Sequence, residues 1–123
     1  MTVLGWRRLW QAAAGILGAA GVGLAAAAAH LSASPNLELA ARFLLIDALA
    51  LLGIAAATRG HEKWLRVSGV LFVVGSLCFS GGLCLIAVIG EHAGPLVPIG
   101  GTALILGWLA LAVSAFADRA PPT

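Results

Sequence analysis

Residues 67–90 read VSGVLFVVGSLCFSGGLCLIAVIG, 24 positions without a charged side chain. At 1.5 Å per helical residue the run is about 36 Å long, and about 20 apolar residues suffice to cross a bilayer. The segment before it, with Arg59, Gly60, His61, Glu62, Lys63 and Arg66, is the most charged in the chain and reads as a loop in water. Residues 92–117 form another charge-free run, interrupted near its start by Gly94, Pro95 and Pro98. Upstream, residues 9–29 are free of charge, and Ser34-Pro35 reads as an N-cap with proline at the first helical position, where its missing N–H costs nothing. Glu38 then sits near a helix N-terminus, four residues ahead of Arg42, the favourable order for such a pair.

The spacing predicts four helices at about residues 9–29, 35–57, 65–89 and 97–116, forming one transmembrane domain over residues 1–123. Residues 118–123, with Pro121 and Pro122, are expected to be a flexible tail. Composition agrees: 61% of the 123 residues are hydrophobic and 10% charged, where a soluble domain carries roughly 25% charged residues. The expected fold class is all-α, an integral membrane four-helix bundle whose short connections favour antiparallel neighbours. A net charge of +2 is too small to imply nucleic acid, so membrane lipid is the expected partner.

Orientation follows from the basic residues, which are retained in the cytoplasm during insertion. Arg7, Arg8, Arg59, Lys63, Arg66 and Arg119 fall on one side and Arg42 on the other, so both termini are expected to be cytoplasmic. Trp6, Trp10 and Trp64 fall at the same boundary, where an indole can bury its ring and keep its N–H wet. Arg7, Arg8 and the small residues 25–29 also resemble a cleavable secretory signal, but the apolar run exceeds the roughly 7–15 residues of a signal core. An uncleaved first helix is expected.

Helices in lipid gain nothing hydrophobic by associating, so small residues and interhelical hydrogen bonds must hold them. Gly15 and Gly18 in the first helix, with Gly21 and Gly23 beyond them, are candidate packing positions, as are Gly81 in the third and Gly100, Gly101 and Gly107 in the fourth. Such surfaces serve packing within one bundle or contacts in a homo-oligomer. Ser76, Ser80 and Cys84 recur every four residues as a weakly polar stripe.

Asp47 lies about 12 residues, or roughly 18 Å, into the second helix, close to the midplane. An aspartate there costs roughly 2.5–3.5 kcal/mol on insertion scales, so it needs partners, protonation or water. Ser76, Ser80 and Trp108 are at similar depth, and a buried polar layer centred on Asp47 is expected, bonded to Ser76 or Ser80 and also to Trp108. Its role is either a satisfied interhelical hydrogen bond or proton or cation exchange. His30 and His92 fall on the outer side near Glu38 and Glu91, but their spacing is not diagnostic of a metal site. Cys78 and Cys84, six apart in one helix, are read as packing residues rather than a disulfide. No nucleophile, base and orienting group can be assembled, so neither an enzyme nor a cofactor is expected.

Phe79-Ser80-Gly81, Pro98-Ile99-Gly100-Gly101 and Leu106-Gly107-Trp108 resemble, in order and spacing, the YgdD-like small bacterial inner-membrane proteins, domain-of-unknown-function family 423. Ala29-His30-Leu31 is similar to the end of that family's Gly-Ala-Phe-Gly-Ala-His element, and residues 48–52 to the part after the histidine of its His-Ala-Leu-Ala-Leu-Leu element. The resemblance implies a four-helix protein of the bacterial plasma membrane with no established activity. The chain departs from it with Ala25 and Ala28 for glycines, Asp47 for histidine, and Gly82 and Cys84 for Ser and Tyr. Two functions are expected in order: a non-enzymatic accessory subunit or scaffold of a larger membrane complex, or a dimeric proton- or cation-coupled transporter with Asp47 as titrating group.

Overall fold

The computed structural model describes residues 1–31, 34–60, 62–90 and 94–118. These form α1 (Val3–His30), α2 (Pro35–Ala57), α3 (Lys63–Ile89) and α4 (Leu96–Ala117), with no strand among them. All four are long and apolar enough to cross a membrane.

The helix ends follow from local chemistry. Thr2 caps α1 by accepting the Gly5 amide at 3.0 Å, so α1 begins six residues before the expected start at Leu9 and carries Arg7 and Arg8 on its own first turns. Ser34 caps α2, with Pro35 inside the first turn. α3 ends at Gly90, whose φ of 84° suits a residue without a Cβ. Pro98 is in the first turn of α4, where the backbone N–H groups have no intrahelical acceptor anyway, so the helix runs through it.

Close packing joins chain neighbours, α1 to α2, α2 to α3 and α3 to α4, and no comparable seam joins α4 to α1. The bundle is therefore open on one side. The central pair α2 and α3 is more enclosed, whereas only 22% of the most apolar stretch of α1 and of α4 is buried inside the protein. Buried positions recur in steps of three and four: Trp10, Ala14, Leu17 and Gly21 on α1, and Ala40, Leu44, Asp47, Leu51 and Ile54 on α2. That spacing is the seam of left-handed helix pairs, and Asp47 occupies a core place in it.

At the end of the bundle that carries both termini, Trp6 stacks on Trp10 with ring centroids 5.6 Å apart, and the Arg66 guanidinium lies 5.4 Å from the Trp6 ring. Trp10 does not keep its N–H wet as expected. It is 2% exposed, its Nε1 has no hydrogen-bond partner, and its ring fills the space that a Cβ on Gly69 would take. The absence of a side chain on α3 at that point is what lets the indole turn inward.

Asp118, assigned by sequence to the flexible tail, is held: its carboxylate accepts the amides of Trp64 at 3.1 Å and Leu65 at 2.9 Å. The first residue after α4 thus caps the first turn of α3, where free N–H groups and the helix dipole favour an anion. Asp118→Ala is expected to destabilise the protein by about 1 kcal/mol, read as a lower thermal midpoint in detergent, with Asp118→Asn recovering part of the loss. Residues 119–123 lie outside the described residues.

Glu62 organises the loop between α2 and α3. Its two carboxylate oxygens accept the Arg59 amide at 2.7 Å and the Gly60 amide at 2.8 Å. Slight burial works to raise its pKa, but the Gly60, Glu62 and Arg59 amides and the charge of Arg66 outweigh it and hold the carboxyl below its ordinary value. A depressed folded pKa means that the loop's support is complete above the ordinary glutamate range and is lost as pH falls through the lowered value. The Arg59 and Gly60 amide resonances should shift together on acidification, below the pH at which exposed glutamates titrate, and Glu62→Gln should abolish that step.

Candidate functional site

Asp47 is fully enclosed, at 0% exposure, between α2 and α3. The Ser76 hydroxyl donates to its Oδ2 at 2.7 Å, and Oδ1 has no hydrogen-bond partner. Arg42 is exposed and forms no pair with it. Ser80, the alternative donor expected from depth, instead donates to the Ala40 carbonyl at 3.0 Å, about two turns closer to the start of α2 than Asp47. Two adjacent serines of the α3 stripe therefore each bind α2, one through a side chain and one through the backbone.

Trp108 does not join this layer. It is 45% exposed and meets Phe72 edge-on at 4.8 Å. The buried positions of α4 are Gly100, Leu104, Gly107 and Ala110. Trp108 follows Gly107 by one residue and so points about 100° away from the seam, whatever its depth. Ser68, which the sequence reading did not single out, donates to the Gly107 carbonyl at 2.8 Å and ties α3 to α4. Extending the four-residue stripe from Ser80 and Ser76 back through Phe72 reaches it.

The packing glycines divide sharply. A Cβ on Gly100 would collide with the backbone nitrogen of Phe79 and lie 2.7 Å from its Cα, so α3 and α4 touch main chain to main chain there. Gly101 faces the Phe79 ring at 3.6 Å, Gly107 faces Leu71 and Phe72 at 3.4–3.5 Å, and Gly18 faces the Ala48 Cβ at 3.7 Å, all ordinary contacts. Gly15 and Gly81 have nothing within 4 Å, so neither serves an internal seam as expected. Close approaches not expected from sequence are Gly69 on Trp10, Gly75 on Leu104 and Gly82 on Val97.

A groove of about 610 Å³ opens between α1 and α2, walled by Gln11, Gly15, Gly18, Leu45, Leu49 and Leu52 among others; Asp47 is not one of its walls. His30 is the last residue of α1 and is exposed, while His92 and Glu91 lie outside the described residues, as does His61. Among the described residues no group of three His, Cys, Asp or Glu side chains is placed to hold a metal. Cys78 and Cys84 are free thiols.

Four helices long and apolar enough to cross a membrane, with a carboxyl sheltered between α2 and α3, define a small multi-pass membrane protein. The chain belongs to the family described as protein of unknown function (DUF423), which matches residues 17–101 and so includes Asp47, Ser76 and Ser80. It is 32% identical over 120 residues to a UPF0382 membrane protein of Schizosaccharomyces pombe, covering 85% of this chain and 98% of that one. It is 31% identical over 80 residues to a UPF0382 membrane protein of Haemophilus influenzae, covering 63% of this chain and 63% of the relative's length. No solved structure matches.

Proposed function

We propose that the protein is a non-enzymatic accessory subunit or scaffold of the bacterial plasma membrane, with both termini in the cytoplasm. The observation that carries this reading is the enclosure of Asp47: its buried side chain is engaged in joining α2 to α3 and is not among the walls of the groove between α1 and α2. What the molecule offers to others is then its outer surface, above all the largely uncovered flanks of α1 and α4. The orientation is supported by Arg7, Arg8, Arg59, Lys63 and Arg66 gathering at the end that carries both termini, with Arg42 near the opposite end.

Purification from native membranes in mild detergent tests the reading. A stoichiometric integral membrane partner is expected, and reporter fusions at either terminus should both report cytoplasm. One observation favours the transporter reading: Asp47 Oδ1 is buried without a partner, a place that a transported proton or cation would fill. A homodimer without other subunits, binding a substrate in a pH-dependent way that Asp47→Asn removes, would put that reading in place of the first.

A further inference from the structure

The groove between α1 and α2 has three properties that no seam within the protein explains. It is floored by Gly15, beyond which a Cβ would meet nothing within 4 Å. A glycine inside a helix costs about 1 kcal/mol relative to alanine, and here no internal contact offsets it. Gln11 stands in its wall, exposed in an otherwise apolar stretch, with no hydrogen-bond partner for its amide among the described residues. Arg7 and Arg8, four and three residues before Gln11, are exposed on the same side of α1, and neither has an ion-pair partner among the described residues.

The depth of the groove selects its occupant. On α1 it runs from Gln11 to Gly18, which faces Ala48 at the level of Asp47. Beyond that, Leu45 closes over Gly21, where a Cβ would lie 2.8 Å from Leu45 Cγ. From Arg7 to Gly18 is about 16 Å along the helix, close to half of a hydrocarbon core about 30 Å thick. A transmembrane helix of a second copy needs a channel through both leaflets. An acyl chain of one leaflet needs this one.

We propose that the groove is a binding site for one acyl chain of an anionic phospholipid, whose phosphate is held by Arg7 and Arg8 and whose glycerol ester region is met by the Gln11 amide. Basic residues at the headgroup boundary above a gap between helices are the arrangement that selects anionic lipid, each contributing through the charge of the headgroup. The volume of about 610 Å³ lies within the range of small-ligand sites. The proposal is independent of the accessory-subunit reading, since it concerns lipid and not a protein partner.

Native mass spectrometry of the delipidated protein in detergent, with phosphatidylglycerol or phosphatidylcholine of identical chains added, tests it, and detergent removes any effect of Arg7 and Arg8 on membrane orientation. One phosphatidylglycerol per chain is expected, preferred over phosphatidylcholine by about tenfold or more. R7Q/R8Q should bring the two lipids to near parity, and Gly15→Leu, which points into open space, should lose both at unchanged thermal stability. Equal retention of the two lipids by the unaltered chain overturns the proposal. So does lipid binding that survives Gly15→Leu, or a dimer that Gly15→Leu splits, which would assign the groove to a second copy. Should Gly15→Leu fail to fold, the parity of R7Q/R8Q decides alone.

Discussion

Gly100→Ala is expected to destabilise the protein by about 2 kcal/mol or more, although alanine is the better helix former by about 1 kcal/mol. The added Cβ meets the Phe79 nitrogen and Cα and the Cys78 carbonyl carbon. These are backbone atoms of α3, which cannot turn aside as a side chain can. The α3–α4 seam must open by several tenths of an ångström, and the Ser68 hydroxyl bond to Gly107 lies on the same seam. Gly75→Ala should be milder, because its nearest neighbours are the Leu104 Cδ2 and Cγ atoms at 2.7 and 2.9 Å, although the Leu104 nitrogen at 3.1 Å limits the relief. Gly81→Ala has open space around it and should raise stability by about 0.5–1 kcal/mol through helix propensity alone. Thermal midpoints of the three variants in one detergent check the order. If Gly81→Ala and Gly100→Ala shift the midpoint alike, main-chain contact between α3 and α4 is not what Gly100 provides.

The glycines show what the sequence could and could not convey. Bilayer thickness imposes a minimum length on each apolar run, so four spans were legible from runs such as residues 67–90. Depth was legible too, because rise per residue is fixed, and it brought Asp47 and Ser76 to one level. Depth alone does not give the angle around a helix, so Trp108 shares the level of Asp47 although it points away from the seam that Gly107 lines. Ser80 fell to Ala40 rather than Asp47 because the two helices run antiparallel, so a serine one turn further along α3 than Ser76 lies nearer the start of α2. Glycines look alike in sequence whether they admit a backbone, as Gly100 does, an indole, as Gly69 does, or nothing, as Gly15 and Gly81 do. Only the neighbouring helix distinguishes them. Trp10 illustrates the complementary case: an aromatic residue beside Arg7 and Arg8 has the pattern of an interfacial anchor, and the gap above Gly69 on a distant helix turns it inward.

Ser76→Ala is expected to cost more than a single interhelical hydrogen bond. Such bonds in membranes average about 0.6 kcal/mol and reach about 1.7, partly because a freed group finds another partner. Asp47 has no other partner to find: Oδ1 is already without one, and at 0% exposure neither oxygen reaches the surface. Removing the Ser76 hydroxyl leaves a buried polar group wholly unsatisfied, which costs about 1–3 kcal/mol. Removing the other side of the pair is different. In Asp47→Ala the Ser76 hydroxyl can turn to the carbonyl four residues back on its own helix, so what remains is a small cavity. The prediction is therefore asymmetric: Ser76→Ala should destabilise the unaltered chain by at least about 1 kcal/mol more than it destabilises the D47A background. Asp47→Asn, which keeps an acceptor for Ser76 and the shape of the group, should fold within about 1 kcal/mol of the original and retain any copurifying partner. A double-mutant cycle of detergent unfolding free energies gives both numbers. A coupling near zero would mean that Asp47 draws its stabilisation from something other than Ser76, such as a buried water or cation at Oδ1, and that the Ser76 hydroxyl is not what holds the carboxyl in the seam between α2 and α3.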